Sequence, residues 1–319
     1  MRDRPQVLLI GNGLNLAFND GFSWNAMLKD IRCNSSEKLP KDPCEFDCPM
    51  PLKAIVYTND NIEEAIKEFK KENNILFGEV NDDRKRQILQ NILGIGFDDI
   101  LTTNYSYELE IAGLNTRGIK ETALKKISTH TNAVGQVDSK YLLHSYNKLK
   151  FNGFANRIWH IHGEARKPSS MILGHYYYAN LLGRMTEYLS KNSNRYEHLY
   201  RSEKVLELRS WIDSFILGDV YILGFGFDLS EFDLWWLLNR KKRERAPHGR
   251  VYFFDTYDEK SDVRNELLKT LGVEIMDLGI RKPPENDSSR NEVYIDFYNK
   301  ALERIKSIAT ENITTVVGG

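Results

Sequence analysis

Four short β-like runs, each ending in glycine, asparagine or histidine, constrain this chain more than any other feature. Gln6-Val7-Leu8-Leu9-Ile10 leads into Gly11-Asn12-Gly13, and Asp98 to Thr103 leads into Asn104-Tyr105. Arg157 to Ile161 leads into His162-Gly163, and Asp219 to Leu223 leads into Gly224-Phe225-Gly226-Phe227-Asp228. Short apolar runs bounded by such residues read as buried strands. Helical patterns lie between them, so the fold class is α/β: a Rossmann-like parallel sheet with helices on both faces. In an open sheet of this kind the carboxyl ends of the strands line one crevice, where ligands bind. Four such ends predict one site built from distant segments, and glycine turns of this type suit a dinucleotide.

Helices are predicted over Trp24 to Ile31 with Ser23 as N-cap, Asn61 to Asn73, Arg84 to Leu93, from His175 to about Ser190, Lys204 to Ile216, Ser230 to Leu238, Asp262 to Leu271 and Asn291 to Ile308. Further strands are predicted at Arg250 to Phe254 and Val273 to Met276. Residues 112–156 are polar and weakly periodic and read as an excursion from the sheet. The simplest organisation is a single domain, 1–310, with its sheet core in 6–31, 98–111, 157–175 and 204–308. Mainly helical insertions occupy 32–97 and 112–156, and 311–319 form a flexible tail.

The composition excludes several classes. With 44 Lys and Arg against 45 Asp and Glu, the formal net charge is −1, which gives no argument for binding nucleic acid or an anionic membrane. No apolar stretch approaches the roughly 18 residues that span a bilayer, and the N-terminus lacks a signal-peptide pattern. Three cysteines, Cys33, Cys44 and Cys48, fit a reducing compartment better than a disulfide framework. They lie in one Pro- and Asp-rich stretch without a fourth cysteine or a nearby histidine, so a surface loop is the reading and not a zinc site. The expectation is a cytoplasmic protein.

Each motif has a modest reading beside the functional one. Gly11 and Gly13 allow a sharp turn and close approach to a phosphate, but the third glycine of the dinucleotide fingerprint is missing. Asn104 can hold a ribose hydroxyl or a water, or it can close a local turn. His160 and His162, two apart on a strand, are expected to leave the same face. Either can act as a general base, or the pair can begin a metal site with His175. Gly163 makes room behind His162 and favours it as the working residue. Asp228, Ser230 and Glu231 can cap the following helix or bind ribose, and Asp255 can accept from a ribose at the next strand end. The basic run Arg240 to Arg245 reads as a solvated helix end, favoured by the macrodipole.

Taken in order, these motifs resemble the SIR2-like domain of bacterial anti-phage proteins, the sirtuin branch that cleaves NAD+. The AbiH-type abortive-infection proteins are a neighbouring group with a similar opening loop. Leu8 to Gly13, followed by Phe22-Ser23-Trp24, resembles the first phosphate loop. Thr102-Thr103-Asn104-Tyr105 resembles the segment holding the catalytic asparagine, and Ile161-His162-Gly163 the one holding the catalytic histidine. Gly224-Phe225-Gly226 resembles the later loop beside the ribose and phosphates. The resemblance spans about residues 6 to 255. It implies Asn104 and His162 as catalytic residues, with Gly11, Asn12, Gly13, Asn15, Thr103, Gly224, Phe225, Gly226, Asp228 and Asp255 binding NAD+. That molecule would be substrate, and no metal or other cofactor is implied. The four-cysteine zinc module of deacetylating sirtuins follows their histidine; here all cysteines precede it, which argues against deacetylation. Ser106 stands where the family often carries an acidic residue.

The resemblance further implies a toxic effector of phage defence, a homo-oligomer, and a partner such as a HerA-like ATPase or an Argonaute-like protein. Two other classes stay open from the residues alone: a non-catalytic NAD+ or ADP-ribose sensor, and a metal-dependent hydrolase using His160, His162 and His175.

Overall fold

A computed structural model of the chain describes residues 4–18, 24–34, 48–59, 61–72, 78–116, 128–131, 140–201, 208–245, 248–258, 262–284 and 286–317. Among them are eight strands in one sheet, ordered β3-β4-β5-β2-β1-β6-β7-β8. The strands are β1 Gln6–Ile10, β2 Asp99–Thr102, β3 Ser128–Thr131, β4 Ser145–Phe151, β5 Phe154–His160, β6 Asp219–Leu223, β7 Val251–Phe254 and β8 Val273–Met276. From β5 to β8 all neighbours are parallel. β1 lies between β2 and β6, so the strand order reverses at β1. A ligand crevice is expected at this point in an open sheet.

Alternate residues of the central strands feed two cores, because side chains leave a strand on opposite faces in turn. Leu8, Ile10, Ile100, Ile158, Tyr221 and Leu223 point to one core, and Val7, Leu9, Leu101, Trp159, Val220 and Ile222 to the other. The first is covered by α5 (Asp83–Leu93), α6 (Glu108–Gly113) and α11 (Arg290–Val317). The second is covered by α7 (His175–Arg201), α8 (Trp211–Leu217), α9 (Phe232–Lys242) and α10 (Asp262–Thr270). Burial on both faces explains why β1 and β6 read as continuous apolar runs. The remaining helices are α1 (Gly13–Ala17), α2 (Trp24–Asn34), α3 (Met50–Tyr57) and α4 (Ile62–Glu72). The described parts of 32–97 are therefore mainly helical.

The 112–156 region differs from the expected excursion. Its β3 and β4 extend the sheet, and β4 pairs with β5 antiparallel through a hairpin. Asn152 and Gly153 turn that hairpin with φ of 46° and 85°, the left-handed pair that a two-residue type I′ connection needs. The helix predicted from Lys204 begins instead at Trp211. Ser210 is extended there and its hydroxyl oxygen accepts from Ile212 N–H, an N-cap that fixes the start; residues 204–207 lie outside the described set. The last helix runs on through Val317, into the stretch read as a tail. Ser23, the predicted cap of α2, and Cys44 lie outside the described residues. No helix among the described residues is long and apolar enough to cross a membrane.

Candidate active site

The two glycine loops pack on each other. Gly11 N–H donates to Leu223 O at 3.2 Å, and Gly13 N–H to Gly224 O at 2.8 Å. A Cβ on Gly11 or Gly13 would lie 2.6 or 2.7 Å from that same Gly224 oxygen, so only glycine permits the approach. These two amides are thereby engaged by the neighbouring strand end. Asn12 Oδ1 accepts from Asn15 Nδ2, which also donates to Glu108 Oε1. In the second loop Gly226 is exposed, while buried Phe227 holds φ +51° between Phe225, Trp235 and Phe253. A bulky residue held at positive φ stores strain that the surrounding packing must maintain. Asp228 turns the chain by accepting from Ser230 N–H and Oγ–H; α9 starts at Phe232 without a side-chain cap. Asp255 accepts from Arg264, which also donates to Gly226 O and so fastens β7 to the loop.

Asn104 sits at the end of β2, beside the first loop. Thr103 N–H reaches Ile10 O at 3.4 Å, and Asn104 N–H donates to Thr102 Oγ1. Its side-chain Nδ2 donates to Gly11 O at 3.3 Å. Its Oδ1 is buried with no hydrogen-bond partner among the described residues, a state that ordinarily costs about 1–3 kcal/mol. Asn104 faces a small cavity lined also by Gly11, Asn15, Ser106 and Glu108. Ser106 Oγ lies 2.7 Å from both carboxylate oxygens of Glu108. The serine found at the acidic position thus leads straight to a buried carboxylate, whose pKa burial raises against the pull of Lys85.

His160 and His162 separate. β5 ends at His160, whose Nδ1–H donates to Asn104 O at 2.8 Å and whose Nε2–H donates to Glu110 Oε1 at 3.1 Å. Burial disfavours its charge, but Glu110, joined by Glu164 and the Asn104 carbonyl, more than offsets it and raises the pKa. His160 clamps the asparagine loop from the α6 face. His162 turns to α9 on the other face, correcting the expectation that both leave the same side. Its Nε2 lies 2.8 Å from Asp233 Oδ2, and its Nδ1 lies 3.9 Å from Glu231 Oε2. The Tyr178 ring meets the imidazole edge-on at 5.5 Å, and its hydroxyl donates to Glu231 Oε2. Burial opposes charge on His162, yet Asp233 and Glu231 raise its pKa above the ordinary value. Burial lifts Glu231 to about 7, with His162 pulling down and Asp233 pushing up. Tyr105, next to Asn104, feels both Glu231 and Asp233, so the asparagine and histidine loops share one neighbourhood.

Asp233 and Glu231 are the site residues that the motif reading did not single out for this role. The signal was an acidic residue on the apolar stripe of α9, four residues before Leu237. His162, Glu231 and Asp233 are also the described group whose potential ligand atoms fall within 4.8 Å of one another. The 2.8 Å contact to Asp233, however, requires a proton on Nε2, which a metal on that nitrogen would displace. As arranged, His162 and Asp233 are a hydrogen-bonded pair with the Glu231 carboxylate 3.9 Å from the other imidazole nitrogen. The metal set considered from sequence does not assemble: His160 has both ring nitrogens engaged, and His175 stacks on Phe232 at 5.9 Å.

The sheet, with its strand order reversing at β1, makes this a doubly wound α/β protein, and an asparagine and a carboxylate-bound histidine lie at the adjacent ends of β2 and β5. The sequence model of the SIR2-like domain family matches residues 98–276, more than half of the chain, and the chain belongs to that family. Proteins with this domain are commonly NAD+-utilising enzymes, so the match points to NAD+-related activity. The matched span begins at β2 and includes Asn104, His162, Glu231 and Asp233, while β1 precedes it. No curated protein matches the chain.

Proposed function

We propose that this protein is an NAD+ glycohydrolase, cleaving NAD+ to nicotinamide and ADP-ribose. The observation that carries the reading is the pairing of two features at adjacent strand ends. Asn104 has a buried, unpartnered Oδ1, and His162 is fixed through Nε2 by Asp233.

The bond from nicotinamide to ribose breaks through an oxocarbenium-like state, and the leaving group departs neutral. No strong acid is needed. The requirements are a held ribose, a positioned water and a group to manage one proton. Asn104 offers both an amide donor and a free acceptor for ribose or water. Asp233 leaves His162 Nδ1 as the nitrogen that meets the reacting oxygen. The proposed binding residues are those of the two glycine loops, with Asn12, Asn15, Thr103, Asp228 and Asp255 around them.

The same reading extends to a cytoplasmic toxic effector of anti-phage abortive infection, acting as a homo-oligomer with a defence partner such as a HerA-like ATPase or an Argonaute-like protein. The test is nicotinamide release from NAD+ by the purified chain, alone and with its neighbouring gene's product. His162→Ala and Asn104→Ala should each lower turnover by ~100-fold or more, with circular dichroism unchanged. Turnover should persist in the presence of a chelator. Near-wild-type cleavage by either variant would overturn the assignment.

A further inference from the structure

We infer that Glu231 is a second catalytic group: His162 Nδ1 and Glu231 Oε2 hold the attacking water between them, and Glu231 takes its proton. This inference rests on the NAD+-cleaving reading and names a residue that the reading does not require.

The argument begins with the 3.9 Å between Nδ1 and Oε2. That gap is too long for a hydrogen bond, whose nitrogen–oxygen distance ends near ~3.2 Å. It is short enough for one oxygen to sit at about 2.8 Å, an ordinary hydrogen-bond length, from both atoms. Nε2 is committed to Asp233, so Nδ1 is the nitrogen left to meet an incoming molecule. Oε2 is held in place by the Tyr178 hydroxyl at 3.1 Å, and the same ring braces His162 edge-on. The two atoms that define the gap are therefore both fixed. The group also has a wet side: the Glu231 side chain is 21% exposed, against 3% for His162 and 0% for Asp233. Water enters, and a proton leaves, past Glu231.

The charges assign the roles. Glu231 is faced by His162 from the β5 loop, by Tyr178 from α7, by Tyr105 from the β2 loop, and by Asp228 and Asp233 from its own segment. Burial raises the carboxyl group to about 7, and Asp233 raises the imidazole. When His162 holds its second proton, its Nδ1–H can only donate, and the free acceptor in the gap is the Glu231 carboxylate. In the step, the water oxygen bonds to the ribosyl carbon as the carbon–nitrogen bond breaks. The bonding pair goes to the nicotinamide nitrogen, which leaves neutral. One water proton passes to Glu231 and then to solvent, so NAD+ and water give nicotinamide, ADP-ribose and a proton.

The experiment compares steady-state nicotinamide release by the wild type, Glu231→Gln and Glu231→Ala from pH 5.5 to 9. Glutamine keeps the size and can still accept from Tyr178 but cannot take a proton. We expect kcat for Glu231→Gln to fall ~100-fold with KM changed little. We expect the wild-type rate to rise through about pH 7 as Glu231 loses its proton, and that rise to be absent from this variant. Formate should restore part of the rate of Glu231→Ala, which a carboxylate needed only for folding would not allow. Wild-type protein that cleaves NAD+, together with a Glu231→Gln variant within about 3-fold of it and the same pH profile, would overturn this inference alone. No cleavage by the wild type under any condition would overturn it together with the reading beneath it.

Discussion

His162 and Asp233 are joined by one hydrogen bond of 2.8 Å, Nε2 to Oδ2, between side chains that are 3% and 0% exposed. The bond crosses from the end of β5 to the first turn of α9, two segments separated by 71 positions. It sets the tautomer: with the proton on Nε2, Nδ1 faces Glu231. It also sets the charge, because a buried carboxylate offsets what burial costs the imidazolium.

Asp233→Asn should disturb both. Asparagine keeps the shape but carries no charge, and its amide can donate to Nε2 and drive the proton to Nδ1. The His162 pKa should therefore fall, which a titration of the imidazole carbon-bound proton by NMR measures directly. Nicotinamide release should drop by roughly 100-fold, within the range general acid–base groups contribute. An unchanged midpoint with full turnover would remove Asp233 from the site.

Gly163 is the second point where the site depends on one residue. Its φ is +95°, and a Cβ there would lie 2.2 Å from Ser170 O. The approach matters because Ile172 N–H donates to His162 O at 2.8 Å, closing the loop back onto the histidine. Gly163→Ala should therefore lose stability by more than the 1–3 kcal/mol typical of backbone strain, and lose turnover without touching the substrate. Gly153→Ala is the matched control. Its φ is +85° but nothing lies within 4 Å of the added carbon, so it should cost only the ~1–2 kcal/mol of a left-handed L-residue and leave turnover intact. Equal losses in the two variants, measured by urea unfolding and nicotinamide release, would show that the contact with Ser170 has no effect.

The parts of this molecule legible in its sequence are those fixed by local pattern. β1 and β6 run as read, Gln6–Ile10 and Asp219–Leu223, because a strand buried on both faces shows as a near-continuous apolar run. The closeness of Asn104 and His162 was legible because strand ends in an open sheet converge, and β2 and β5 are neighbours. β3 and β4 were not: a half-exposed strand such as Ser145 to Phe151, next to the edge of the sheet, carries few apolar residues, and the Asn152-Gly153 turn was its one strong mark. The divergence of His160 and His162 was also hidden. The same-face rule holds only within a strand, and β5 stops at His160, where Asn104 and Glu110 capture the ring. Asp233 and Lys241 carry charge on the buried stripe of α9, and a charged residue in such a stripe signals a distant partner that the sequence does not name.

Lys241 shows what such a residue does away from the site. The basic run at 240–245 read as a solvated helix end, yet Lys241 is 2% exposed. Its Nζ donates to the carbonyls of Phe215, Ile216 and Gly218 at 3.0, 2.9 and 2.7 Å. These are the open carbonyls around the end of α8, which no later turn of that helix can satisfy. Burial draws the Lys241 pKa down to about 7, with Asp219 pulling the other way. Three acceptors match the three N–H bonds of an ammonium group. α8 packs on β1 and β2, the strands that carry the glycine loop and Asn104, so the lysine braces the layer beneath the site. Lys241→Met fills similar space but leaves three buried carbonyls without a donor, at about 1–3 kcal/mol for each group left unpaired. We expect the urea midpoint to fall by an amount worth at least ~3 kcal/mol on that scale, with the slope unchanged. Lys242→Met, which loses one exposed contact to Thr270 O, should stay within about 0.5 kcal/mol of the wild type. If the two neighbours prove equally tolerant, α8 is held by its apolar face alone, and the charge at 241 has no structural role.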